Sequence, residues 1–453
     1  MAEPTTDEWT VPEPGMSAKL SSLRNKLGQK AKCEPQYRFY SLYGHICRMD
    51  TLEAAWRQVR KNNGSPGLDG LSVEDVEKSA EGVGGFLREL QESLREKTYH
   101  PQPVKRVYIP KPNGKLRPLG IPTIRDRVAQ TAVVLILGPI YEQEFHDCSY
   151  AYRPKRSAGQ ALEAVREHIK AGRTTLYDAD LQGFFDAIPH EKLMATLEVR
   201  ISDRHVLKLI RMWLKAPVKE PDTQGSGKGG KGGGGGGGLR RSRNGTPQGG
   251  VISPLLANLY LNWLDRNFHG PKGPGKWANA RMVRYADDFV IMARFIDHQI
   301  VGWVEYLVEE RLGLTINREK TRVVNLKGEG KAVDFLGYTF RYDRDLSGGS
   351  HTYLNMTPSK GALERERENI RKLINTSQSH TPLPDLIHRV NLQLKGWKQY
   401  YSVGYPTKAY RDINAYTSER LRRHLNRRSQ RPWRPPQGMT YYKAFHHMGL
   451  VKL

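Results

Sequence analysis

The sequence predicts an α+β chain that ends in an all-α unit, and three stretches predict it. Arg281–Ala293 reads as strand, tight turn, strand: Val283, Tyr285, Phe289, Val290, Ile291 and Met292 are strand formers, and Asp287 and Asp288 sit where the run turns. Leu176–Ile188 is a second strand with acids in it. Beyond Met356 the pattern changes period: Leu386, Val390, Leu394, Trp397 and Tyr401 recur at helical spacing, as the core of a small bundle would.

The acids carry the chemistry. Two adjacent carboxylates inside an apolar hairpin are costly to bury unless a cation holds them, and hard Mg²⁺ prefers oxygen ligands. An Asp-Asp turn facing solvent is the bland alternative, but the flanks are too hydrophobic for it. Asp178 and Asp180 are two apart and share one strand face. An Asp on one strand beside Asp-Asp on a neighbouring hairpin makes a two-metal site for phosphoryl transfer. Asp180, Asp287 and Asp288 are the candidate ligands, with Asp178 supporting the strand or standing one layer out.

These stretches resemble a known family. Tyr285-Ala-Asp-Asp288 is similar to the catalytic hairpin of reverse transcriptases, and Asp180-Leu-Gln-Gly-Phe-Phe-Asp186 to their first carboxylate motif. Gly245-Thr-Pro-Gln-Gly-Gly-Val-Ile-Ser-Pro-Leu-Leu-Ala-Asn258 resembles the group II intron form of the segment between them. The resemblance runs from about Leu52 to the C-terminus. It implies a right-hand polymerase fold (fingers and palm) followed by an all-α thumb/maturase domain, in a group II intron-encoded reverse transcriptase/maturase of bacterial type. The cofactor implied is Mg²⁺ in a two-metal site. The partners implied are group II intron RNA, target DNA and deoxynucleotide triphosphates, and a homodimer is compatible with it.

In chain order, residues 1–35 read as a flexible basic segment with helical patterning near 20–32. Residues 36–345 hold the fingers and palm of the resemblance. Leu52, Ala55, Trp56 and Val59 form a helical stripe, and Lys61–Gly70 is a turn-rich basic loop. Val104–Pro110 and Lys115–Gly120 flank Pro112-Asn-Gly114, a hairpin signal. This hairpin is densely basic, which a solvated face would explain. The resemblance instead puts Lys111 and Arg117 on the phosphates of an incoming nucleotide. Thr123–Tyr141 reads as a helix. In Ser149–Ser157, Arg153, Lys155 and Arg156 border the template path by resemblance, or form a plain basic surface turn.

The resemblance also assigns Leu181, Phe185, Gln248 and Lys320 to nucleotide binding. An aromatic at the position of Phe185 would block a ribose 2′-hydroxyl; ordinary core packing is the other reading. Residues 219–244 contain Gly232–Gly238 and scattered Lys and Arg, from which no core can be built. They read as an inserted surface loop. Residues 356–453 hold 19 Lys and Arg against 6 Asp and Glu, about half the chain's excess charge of +25, which marks a nucleic-acid surface. Lys395, Lys398, Arg422, Arg423, Arg427 and Arg428 are its exposed candidates, and Leu394–Tyr401 resembles the family's thumb.

A net charge of +25 itself points to a polyanionic partner. No apolar run is long enough to span a membrane. Cys33, Cys47 and Cys148 are too scattered for a zinc pattern or a disulfide framework, as expected for reduced thiols in a cytoplasmic protein. The resemblance, with which the net charge agrees, implies an RNA-directed DNA polymerase that binds its intron RNA, assists splicing and copies the RNA into DNA by target-primed reverse transcription during retrohoming. A domesticated (CRISPR-associated or defence) reverse transcriptase and a splicing-only RNA-binding maturase are the alternatives. Intact carboxylates argue against the latter. With no Cys beyond residue 150, a C-terminal zinc-bound endonuclease is not expected.

Overall fold

The computed structural model describes residues 15–110, 114, 116–221, 238–240, 244–344, 352–428 and 433–453. Lys111 and the glycine run 232–237 lie outside the described residues.

Eleven strands form three sheets among the described residues. β1 (Val104–Pro110) and β2 (Leu116–Ile121) make the antiparallel hairpin expected from Asn113-Gly114, with Lys105 opposite Ile121 and Pro110 opposite Leu116. β4 (Val218–Lys219) runs parallel to β1 and pairs with β5 (Leu239–Arg240) on its other side. The second sheet has the order β6-β7-β3-β8: β3 (Thr175–Ala179), β6 (Arg281–Tyr285), β7 (Asp288–Ala293) and β8 (Arg322–Asn325). The third is β9 (Ala332–Phe335), β10 (Tyr338–Arg344) and β11 (Thr352–Pro358), a meander in the order β11-β10-β9.

Apart from its exposed edge strand β8, the second sheet is buried on both faces, and the period of two in its sequence sorts its side chains between two cores. Met282, Phe289, Ile291, Tyr177 and Ala179 face a core built on the helices Ile124–Glu142 and Ser253–His269. Leu176, Val283, Val290 and Met292 face the helix Ala158–Lys170 and the C-terminal helices. Ile124–Glu142 starts where Thr123 accepts a hydrogen bond from the Asp126 backbone N–H, and it is buried almost all round.

The C-terminal helices are Lys360–Leu373, Leu383–Tyr400, Thr407–Arg428 and Tyr441–His447. Leu386, Val390 and Leu394 are fully buried between them, and Trp397 and Tyr401 nearly so. That is the stripe the periodicity predicts.

The helix expected near 20–32 is present as Ala18–Cys33, capped by Ser17. The flexible reading of 1–35 is corrected over these residues, because Leu20, Leu27 and Ala31 are buried in the core. The helix's apolar residues are sparse, so composition alone does not reveal the packing. Residues 333–340 form two strands, β9 and β10, because Leu336 and Gly337 both adopt positive φ (48° and 79°) and turn the chain back as a two-residue hairpin. A Cβ on Gly337 would meet the Tyr401 hydroxyl at 2.6 Å, so glycine is needed there twice over. The helix His298–Tyr306 continues as a wider π turn, Leu307–Arg311.

Candidate active site

The site grows out of the register of the second sheet. β3 pairs with β7 so that Asp178 lies opposite Val290 and Ala179 opposite Phe289. One further step places Asp180, just past the end of β3, opposite Asp288. β6 and β7 pair through Tyr285 and Asp288, leaving Ala286 and Asp287 as the turn. Ala286 takes φ 60°, a conformation that a small residue tolerates at the least cost. The hairpin thus lifts Asp287 and Asp288 to the end of the sheet where β3 delivers Asp180.

The turn is anchored from below. Arg284 on β6 is fully buried, as is its partner Asp265 on the helix Ser253–His269. Its Nε donates to Asp265 Oδ1 at 2.9 Å, and its Nη1 donates to Asn258 Oδ1 and to the Ala286 carbonyl, both at 3.0 Å. A guanidinium with this many partners fixes the turn's backbone and satisfies its own burial.

The acids crowd one another. Withdrawal from water, followed by repulsion from Asp287, Asp180 and Asp178, pushes the Asp288 carboxyl up to about 6. The residue as a whole still reaches solvent at the end of the sheet, so the withdrawal of its carboxyl is partial. Burial raises Asp287 as well, with Asp180 adding to the shift while Arg117 and Arg284 oppose it. Burial raises Asp178 against the pull of Arg322, whose Nε is 3.6 Å from Asp178 Oδ2. Asp180 is held apart from its fellows: Lys320 Nζ and Asn317 Nδ2 each donate to its Oδ2 at 3.0 Å. An oxygen-only donor set whose members repel one another suits a hard divalent cation.

Among the described residues, the one group of three His, Cys, Asp or Glu side chains with ligand atoms within 4.8 Å of one another is a different one: His146, Cys148 and His269. The spacing of the cysteines gives no hint of it. The two imidazoles stack at 4.1 Å with planes only 11° apart, so no point within bonding distance of both rings lies in both their planes, and the arrangement does not fit a metal as it stands.

Around the carboxylates, Arg117 is exposed on β2 and acts on Asp287. Phe185 is half-buried, edge-on to Phe184 at 5.2 Å. Leu181 is buried and bridges to Ile316, leaving its backbone beside Asp180. The Gln248 carbonyl accepts from the Gly120 N–H at 2.6 Å, which ties the Pro247–Gly250 loop to β2. A Cβ on Gly249, at φ 108°, would meet the Gly120 carbonyl at 2.5 Å. Lys111 lies outside the described residues.

The basic candidates divide. Arg153 is corrected: it is buried, donates to Glu142 Oε1 at 2.9 Å and 2.7 Å, and donates to the His146 and Ser149 carbonyls, so it braces the loop and offers nothing to nucleic acid. A basic turn in sequence does not reveal an acid eleven residues upstream. Arg156 pairs with Asp147 at 2.6 Å and lies over the Tyr150 ring. Lys155 is exposed, as are Lys395, Lys398, Arg427 and Arg428. Arg422 and Arg423 share Glu419, whose carboxyl their hydrogen bonds pull down to about 2.

Sequence reasoning missed Asn317, Arg322, the Arg284–Asp265 pair and Tyr152. Tyr152 stands exposed with φ 59° between the buried Ala151 and Arg153, close enough to Asp287 and Asp288 for their charges to raise its hydroxyl after burial does. Nothing in the sequence marks these residues except their neighbours.

The segment that carries the site, residues 109–340, matches the family described as reverse transcriptase (RNA-dependent DNA polymerase), and the chain belongs to it. Residues 363–442 match the group II intron, maturase-specific domain, so this is a reverse transcriptase of the group II intron kind. Protein YkfC of Escherichia coli (strain K12) is 32% identical over 339 residues, which are 67% of this chain and 84% of that protein. The group II intron-encoded protein LtrA of Lactococcus lactis subsp. cremoris is 36% identical over 236 residues, 50% of this chain and 35% of LtrA. Among solved structures, telomerase from Candida albicans with a fragment of telomeric RNA matches over 78% of this chain and 64% of that one, at 15% identity and a TM-score of 0.40. No helix among the described residues is long and apolar enough to cross a membrane.

Proposed function

We propose that this chain copies group II intron RNA into DNA by target-primed reverse transcription, and that the same chain binds the intron RNA to assist its splicing. The observation that carries the reading is the juxtaposition of Asp180 with the Asp287–Asp288 turn, in a chain whose C-terminal part is of the maturase-specific kind. Fingers and palm would correspond to residues 36–345, and the thumb to 356–453.

Asp180, Asp287 and Asp288 would hold two Mg²⁺ ions, which supply activation of a primer 3′-hydroxyl and charge neutralisation at the triphosphate. Lys320 would release Asp180 when the metal takes over the neutralising role, and would then face the nucleotide. Arg117 on β2 and Lys111 would contact the triphosphate. Phe185 would sit under the sugar, so that a deoxynucleotide is preferred. The Pro247–Gly250 loop, held to β2 without side-chain bulk, would let the backbone approach the new base pair. Lys155 and the exposed cations of the C-terminal helices would hold RNA phosphates.

The test is Asp287→Asn in the full chain, assayed by extension of a DNA primer on an RNA template and by intron splicing at low magnesium. Extension should be lost while splicing and the circular dichroism spectrum persist. DNA synthesis at near wild-type rate would overturn the assignment.

A further inference from the structure

The helix Arg204–Leu214 lies outside the candidate active site, and its two faces are unlike. Asp203 caps it, and Val206, Leu209, Ile210, Trp213 and Leu214 bury the inner face. On the outer face Arg204, Lys208, Arg211 and the C-cap Lys215 are all exposed. They fall at spacings of four, three and four residues, so they stand in one line, one cation per turn. At 1.5 Å per residue the line is about 16 Å long. Arg211 has Glu198 at 3.5 Å; among the described residues the other three have no carboxylate in ion-pair range.

This line borders an open cavity of about 970 Å³. Lys208, Arg211 and Lys215 lie along it, and among the described residues Glu191 is the one acid in its lining. Met212, Pro101 and Pro217 give it apolar surface. None of Asp180, Phe185, Asp287 or Asp288 lines it. His190 is part of its wall and is fixed there, with Nε2 at 2.6 Å from the Gly245 carbonyl.

A straight row of cations beside an apolar recess has the chemistry of a single-strand binder: phosphates on the row, a base against the apolar surface. An acidic protein segment would find the row, but it offers no base to set against the cavity's apolar lining. We propose that the outer face of Arg204–Leu214, with the cavity beside it, is a second nucleic-acid surface that holds single-stranded RNA away from the polymerase site. The proposal rests on the reading of the chain as an RNA-binding reverse transcriptase.

The experiment measures the affinity of the full chain for a fluorescein-labelled 20-nucleotide oligo(rU), and for a 20-base-pair RNA duplex, over a range of salt concentrations. Each phosphate neutralised on a single strand contributes about 0.7 to the slope of log K against log salt. The triple variant Lys208→Gln/Arg211→Gln/Lys215→Gln should therefore flatten the oligo(rU) slope by about 2. The control Lys78→Gln/Arg88→Gln/Lys97→Gln, which removes three cations from another surface, should leave it unchanged. Extension of a pre-annealed DNA primer on a short RNA template at saturating concentration should be the same in all three proteins. An unchanged slope in the triple variant, equal flattening in the control, or a loss confined to the duplex would each overturn the proposal. If the wild type fails to extend a primer, the polymerase reading falls; if it extends normally and the slope does not move, this proposal alone falls.

Discussion

Arg284 and Asp265 form an ion pair with no solvent exposure at either side chain, and the same guanidinium donates to the carbonyl of Ala286 in the turn that bears Asp287. The pair joins the helix Ser253–His269 to the hairpin that bears Asp287 and Asp288. Removing one partner leaves a buried charge with nothing to balance it, which costs about 3–5 kcal/mol. Asp265→Asn should lower the denaturant midpoint accordingly and depress primer extension even where the chain stays folded. A loss of unfolding free energy of less than about 1 kcal/mol would show that the pair is not a structural keystone.

The raised carboxyl of Asp288 predicts a pH dependence with a definite sign. A carboxyl whose folded pKa lies above its unfolded value favours the folded state when protonated, and that contribution is lost as pH rises from about 4 through about 6. Metal binding needs the ionised form and so runs the other way. The rise in melting temperature on adding Mg²⁺ should therefore be full at pH 7.5 and shrink as pH falls through about 6. In Asp288→Asn this pH dependence should disappear. A Mg²⁺ effect independent of pH between 5 and 7.5 would place Asp288 outside the metal site.

Phe185 is half-buried against Phe184, compatible both with core packing and with a wall beneath a sugar. Phe185→Ala should raise incorporation of ribonucleotides relative to deoxynucleotides in single-nucleotide extension. Unchanged discrimination would return Phe185 to the core.

Tyr152 is exposed, adopts φ 59° and is carried by a loop braced on both sides: Asn258 donates to the Ala151 carbonyl at 2.7 Å, and Arg153 is pinned to Glu142. An aromatic held rigidly beside the carboxylates can stack on a base, an interaction of about 1–3 kcal/mol. Tyr152→Ala should lower extension efficiency by about that free energy, while Tyr152→Phe retains it and melting temperatures stay level. Equal efficiency in Tyr152→Ala would sink the stacking role.

Much of the fold could be read from periodicity. The strands about Asp180 and Asp288, the Thr123-capped helix and the Leu386–Trp397 stripe follow from local pattern, because each element's burial repeats at its own period. Reading failed where burial is decided by a distant partner. Arg153 looks like any basic loop residue until Glu142 folds against it, and Ala18–Cys33 has too few apolar residues to reveal that it is packed. The three aspartates could be read because carboxylates inside strands need a reason. Asn317 and Tyr152 could not, since only the tertiary fold brings them to the site.

The second sheet is a party wall. Val283, Val290 and Met292, from the strands that raise the Asp287–Asp288 turn, share one continuous apolar cluster with Leu394, Trp397 and Phe445 of the C-terminal helices. Cutting the chain before Met356 would strip one side of that wall and leave the hairpin's own residues facing water. The two halves are thus tenants of one foundation: a lineage that discards copying can let Asp287 and Asp288 drift, but it cannot discard the C-terminal helices and keep a sound polymerase.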